Sequence, residues 1–158
     1  MKLQDIVVKD AIIPELVATA RDDAIREILS ALVAGGAMAE SRLDEFVKAV
    51  IKREKRGSTG FGHGVAVPHV KHSAVKKMAV TVALSQAGVD FNALDNEPVY
   101  SIFLLLSPEH QPEEHLDAME AIFANLSQET FRRFLRQARS VEEILTLLDE
   151  ADSQAPVR

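Results

Sequence analysis

Residues 57–69 read GSTGFGHGVAVPH. Four of the chain's seven glycines fall within the first eight of these positions. Glycine tolerates backbone angles closed to other residues, so the stretch reads as an irregular loop. It runs into Val65, Ala66 and Val67, a short apolar run halted by Pro68, which reads as a brief strand. Pro68 sets its own φ and restricts Val67, so the backbone that reaches His69 is rigid.

The pattern changes across this stretch. Upstream it is helical. Ile25, Ile28, Leu29, Leu32 and Val33 recur at helical spacing in residues 17–35, and Gly35-Gly36 stops the run. Residues 42–55 form a second amphipathic segment, with Ser41 placed as an N-cap and Leu43, Phe46, Val47, Val50 and Ile51 on one face. Downstream the period changes. Residues 78–84 (MAVTVAL) and 99–107 (VYSIFLLLS) read as buried strands, the second bounded by Pro98 and Pro108. Helices then return at residues 112–126, with Leu116, Met119, Ile122, Phe123 and Leu126 expected inward, and at 129–138. A last helix is capped by Ser140. Strands interleaved with helices predict an α/β fold: a single domain with a small central mixed β-sheet flanked by α-helices. Residues 1–150 read as that domain, and residues 151–158 as a disordered C-terminal tail.

Composition narrows the function. Of the 158 residues, 47% are hydrophobic, enough for a core without a metal or disulfide. The absence of cysteine excludes a thiol nucleophile, thiolate zinc and iron–sulfur ligation. A net charge of −6 and an aromatic content of 5% argue against nucleic-acid binding, which relies on basic and stacking groups. No window is long and apolar enough to span a membrane, and the N-terminus lacks the apolar core of a signal peptide. The expected location is the cytoplasm, without direct membrane insertion.

The glycine loop fails as a nucleotide site. No Gly-Lys pair supports a P-loop, and Gly60-x-Gly62 and Gly62-x-Gly64 are followed by Val65 and Val67 where a dinucleotide fingerprint needs glycine. His63, His69 and His72 are spaced unlike a zinc site, and no cofactor or metal is expected. His63 and His72 read as surface or structurally satisfied histidines. His69 differs, because it ends a strand beside glycine amides that can converge on an anion. Imidazole is largely neutral at pH 7, so it can act as a nucleophile without a separate base.

From Arg53 through Gly62-His-Gly-Val-Ala-Val-Pro-His69 the chain resembles the fructose/mannitol-type enzyme IIA domain of the bacterial phosphoenolpyruvate-dependent phosphotransferase system. A second element, His115-Leu-x-x-Met119-x-x-Ile122, agrees. The Arg-Glu-Lys-x-Gly-Ser-Thr-Gly form is most similar to the nitrogen-regulatory branch. The resemblance implies a phosphotransferase/anion-transport-like fold. It further implies that His69 accepts a phosphoryl group from an HPr-like phosphocarrier protein, or its nitrogen-branch paralogue. Arg53 corresponds to the active-site arginine, His115 to the second active-site histidine, and Thr59 borders the pocket. The preferred expectation is a regulatory phosphoryl carrier acting on a target protein. The alternatives are a IIA passing phosphate to a sugar-specific IIB component, and an unphosphorylated binding module on the same fold.

Two positions depart from the resemblance. Val70 stands where a small residue usually follows the histidine, which is expected to alter how closely a donor approaches. His63 replaces a small polar residue. Arg132, Arg133, Arg136 and Arg139 read as surface charge, with docking of an acidic partner as the alternative.

Overall fold

The computed structural model describes residues 1–153. Its centre is strand β4, Val99–Pro108. The antiparallel neighbour on one edge is β3, Ala79–Val89, with Val80 opposite Leu105 and Val82 opposite Phe103. The other edge carries two short strands in succession, β1 (Val65–Ala66) and β2 (His69–His72), both parallel to β4. Pro68 interrupts them, because it has no N–H to give the ladder. Its carbonyl still accepts the Leu105 N–H at 3.0 Å. The sheet is therefore mixed, as expected.

Residues 1–20 run along the free edge of β3. They are tied to it by parallel bridges from Val7 to Val80, Ile13 to Ala83 and Ala20 to Asp90. That cover occupies most of the outer edge of β3 and so protects it from pairing with another chain.

Both faces of the sheet are buried, so β4 is apolar on both sides. Ile102, Leu104 and Leu106 pack with helices α1 (Arg21–Ala34) and α2 (Leu43–Lys55). Phe103 and Leu105 join Val80, Val82 and Leu84 under α3 (Pro112–Leu126), α4 (Glu129–Gln137) and α5 (Val141–Ser153). The period of two along each strand sorts the side chains into these two cores.

The elements differ from the sequence reading at their ends. The first helix starts at Arg21, not at residue 17. Residues before it are extended, and the Glu27 carboxylate accepts the Val17 and Ala18 N–H groups from the side. Ser41 does not cap α2; it lies in a 3₁₀ turn, Glu40–Arg42, that leads into the helix. Ser140 does cap α5, its Oγ accepting the Glu143 N–H at 3.1 Å. On α3 His115, Ala118, Ile122 and Leu126 are buried and Met119 and Phe123 pack half-buried against the same core, whereas Leu116 is 60% exposed. Helix α5 runs to Ser153, three residues into the expected tail. Asp152 holds it there by accepting the Leu3 and Gln4 N–H groups at 2.8 and 2.9 Å. The rest of that tail, residues 154–158, lies outside the described residues.

Candidate functional site

His69 opens β2 and pairs with Leu105 of β4. The matching parity sends its side chain to the α3 face of the sheet. There its ring meets that of His115, with centroids 5.5 Å apart. His69 Nδ1 lies 2.8 Å from the Val67 carbonyl oxygen. A carbonyl only accepts, so Nδ1 carries the proton and Nε2 keeps the lone pair. The rigid Val67-Pro68 step thus fixes both the ring's position and its nucleophilic nitrogen.

His115 lies in the first turn of α3, where Pro112 fits because its missing N–H would have no helical partner. The imidazole is buried, and Nδ1 sits 2.6 Å from the Ser107 Oγ. Ser107 is two residues beyond Leu105 on β4, so it faces the same side. One strand therefore registers His69 through Leu105 and His115 through Ser107.

Arg53 is in the last turn of α2 and donates to the Gly57 carbonyl oxygen at 2.9 Å. Its other guanidinium N–H groups remain available to an anion. Its charge also bears on His69, as one of the influences that disfavour the imidazolium. Next to it, Glu54 is buried and accepts both the N–H (3.0 Å) and the hydroxyl of Thr59. Burial raises the Glu54 carboxyl above its ordinary range, opposed by the Thr59 bonds and by Arg53. The Thr59 hydroxyl, expected to border the pocket, is spent on Glu54. Thr59 instead ties the loop down, its carbonyl accepting the Val67 N–H at 3.3 Å. Gly60 is closely packed, since a Cβ there would lie 3.0 Å from the Ala93 Cβ and 3.1 Å from its Cα. Sequence reasoning passed over Glu54 and Ser107. Glu54 hides in a basic run at a helix end, and Ser107 reads only as the polar end of an apolar strand.

Three histidines remain, of which His110 is exposed beside Glu109. His72 Nδ1 accepts the Ala74 N–H while Nε2 donates to Glu45 at 2.7 Å, and its ring packs on Phe46. It is satisfied structurally, as expected. His63 is exposed, with φ 60° between two glycines of positive φ. It lines a shallow cavity with Arg132, Arg133 and Arg136, and His69 does not line it. Arg136 lies over the Tyr100 ring, 3.6 Å from its centroid. Among the described residues no group of three or more His, Asp or Glu side chains could hold a metal ion.

Val70, expected to alter a donor's approach, faces the opposite side of the sheet from His69. It pairs with Leu106, one step from His69, and packs against the α1/α2 core on the opposite face. Its side chain therefore points away from the sheet face that carries the His69 and His115 rings. Val70→Gly should cost roughly 1–2 kcal/mol of stability from lost packing and added backbone entropy. The donor concentration giving half-maximal transfer should stay unchanged. Urea unfolding and single-turnover transfer measure the two.

Both site histidines resist protonation. Burial comes first for each; neighbouring positive charge adds to it, and for His69 the Val67 bond opposes it. His115 falls to about 4 and His69 moves in the same direction. Between pH 6.5 and 4 the unfolded chain therefore takes up a proton that folded His115 refuses. Stability on this account is full above pH 6.5 and is lost as pH falls through that window. Glu54 acts with the opposite sign, because its carboxyl is raised. His115→Gln should show a shallower loss of stability than the wild type across this range, measured as urea midpoints against pH.

The family profile "Phosphoenolpyruvate-dependent sugar phosphotransferase system, EIIA 2" matches residues 5–151. The chain is 28% identical over 152 residues to the fructose-specific EIIABC component of Bacillus subtilis, covering 96% of this chain. It spans only 24% of that relative's length. Among solved structures, the nitrogen regulatory protein IIA-Ntr of Neisseria meningitidis superposes with a TM-score of 0.82 at 31% identity, covering 91% of this chain and 97% of that one. Enzyme IIAMtl of Escherichia coli, solved in complex with phosphorylated enzyme IIBMtl, gives 0.75 at 26% identity, covering 89% and 95%.

Proposed function

Since the chain belongs to the EIIA 2 family of the phosphoenolpyruvate-dependent sugar phosphotransferase system, a family of phosphoryl carriers, we propose that it carries its phosphoryl group on His69. The observation that carries this reading is the His69 Nδ1–H bond to the Val67 carbonyl, which leaves Nε2 as the lone pair beside His115. The donor is an HPr-like phosphocarrier protein or its nitrogen-branch paralogue. His69 Nε2 forms a P–N bond as the donor's P–N bond breaks and the electron pair returns to the donor's imidazole. No general base is required, because the attacking nitrogen carries no proton. Arg53 and His115 stabilise charge on the equatorial phosphoryl oxygens. Thr59 and Glu54 hold the loop that places Arg53.

The protein then acts in the cytoplasm as a regulator, binding a target according to its phosphorylation state. The likeness to IIA-Ntr over nearly its whole length supports this reading. Added phosphate brings about two negative charges into the cleft, enough to reverse a contact. The second reading, delivery to a sugar-specific IIB, is favoured by the fructose-specific relative and by the IIAMtl–IIBMtl complex. Among the described residues no helix is long and apolar enough to cross a membrane.

Phosphoenolpyruvate, enzyme I and HPr together should add one phosphoryl mass to the intact protein, acid-labile and located on His69. Label on His63 or His72 would defeat the assignment. Binding to a protein other than a permease component, altered by phosphorylation, supports regulation. Transfer to a IIB with sugar-dependent loss of phosphate supports transport.

A further inference from the structure

Ser107 is fully buried near the end of β4. Its Oγ touches two groups, His115 Nδ1 at 2.6 Å and Met78 Sδ at 3.0 Å. A hydroxyl has one proton to donate. Given to Nδ1, it leaves the proton of neutral His115 on Nε2. Given to sulfur, it lets Nδ1–H donate to Oγ and leaves Nε2 bare. The two arrangements give the cleft opposite characters. His69 already presents a bare Nε2, because its Nδ1–H is held by Val67. A bare nitrogen on His115 as well would place two lone pairs beside an incoming phosphoryl group. A thioether is also a weak acceptor beside an imidazole nitrogen.

We propose that Ser107 is a positioning residue: its hydroxyl donates to His115 Nδ1 and so holds the His115 proton on Nε2, as the donor that meets the phosphoryl group. The second half rests on the His69 reading above. The first half is measurable in the unphosphorylated protein. The residue that sets a histidine's tautomer controls whether that histidine can donate at all.

Nitrogen-15 NMR of the two imidazoles distinguishes protonated from bare ring nitrogens. In the wild type at pH 7, His115 should be protonated at Nε2 and bare at Nδ1, and His69 the reverse. Ser107→Ala should bring in a second His115 form protonated at Nδ1 and leave the His69 signals in place. Its saturating transfer rate should fall roughly threefold to tenfold, the equivalent of one neutral hydrogen bond. The half-saturating donor concentration should not move. A wild-type His115 protonated at Nδ1, or a Ser107→Ala protein with unchanged tautomer and rate, overturns the proposal. If Ser107→Ala does not fold, Met78→Leu decides. An unchanged His115 tautomer supports donation to the ring, and a switch from Nδ1–H to Nε2–H shows that the sulfur held the proton. A wild type that takes up no phosphoryl group overturns the carrier reading, while the tautomer in the same sample judges the Ser107 bond separately.

Discussion

His69→Ala will take up no phosphoryl group from phosphoenolpyruvate, enzyme I and HPr, while the wild type is labelled to one per chain. The effect is all-or-none because the acceptor atom itself is removed. The other four histidines are not expected to stand in, and His110 is a 90% exposed side chain beside Glu109. His72 has both ring nitrogens engaged, by Ala74 and by Glu45, and His63 lines a different cavity. His115 is buried with Nδ1 against Ser107, and in the proposed mechanism it supports the transfer without accepting the group. The substitution removes a half-buried ring at the edge of the cleft, so a folded variant is expected. Intact mass and acid lability read the result, and residual labelling at the wild-type level would move the acceptor elsewhere. The pH dependence of the wild type adds a second check. Burial holds the His69 proton affinity below the ordinary value of 6.5. Transfer at pH 6.5 should therefore retain more than half of its neutral-pH rate, since an ordinary histidine is half protonated and half inactive there.

Arg53→Ala should leave His69 labelled, but at a rate lower by about 100-fold or more, the usual consequence of losing one well-placed donor to a charged transition state. The reason lies in where the guanidinium is held. One N–H bonds the Gly57 carbonyl, which anchors the group at the mouth of the loop and leaves the remaining donors for phosphoryl oxygens. Arg53→Lys should recover only part of the rate, since an ammonium keeps the charge and loses the planar fork. His115→Ala should slow transfer in the same manner, through loss of a neutral donor rather than a charge. That difference is testable, because added salt should narrow the gap between wild type and Arg53→Ala more than the gap between wild type and His115→Ala. Unchanged single-turnover rates in both variants would return Arg53 to the solvated basic run at the end of α2.

Much of this fold is legible in the chain, for physical reasons particular to each element. β4 is apolar on successive residues because both its faces are covered, so its run stands out without any alternation to decode. Helices α1 and α2 announce their buried faces by spacing alone. β2 escapes notice because His69–His72 is four residues of mixed polarity, and its strand character comes from the ladder to Leu105 through Pro108. Leu116 misleads for a related reason: an apolar residue next to His115 looks inward until the helix is rotated so that His115 itself takes the buried position.

The candidate site divides along the same line. The sequence by itself determines that a glycine loop meets a rigid Val-Pro-His step, that no cysteine is present, and that an α/β core surrounds His69. These follow from residue type and near neighbours, which act over a few bonds. Only the tertiary structure decides that Val70 packs away from the cleft, that Thr59 is bound to Glu54, and which nitrogen of His69 is free. It alone brings Ser107 to His115. Each of these depends on strand register and on hydrogen-bond partners supplied by other elements. A side chain's facing reverses with a shift of one residue in register, and an imidazole's proton goes where a partner from elsewhere in the chain accepts or donates it.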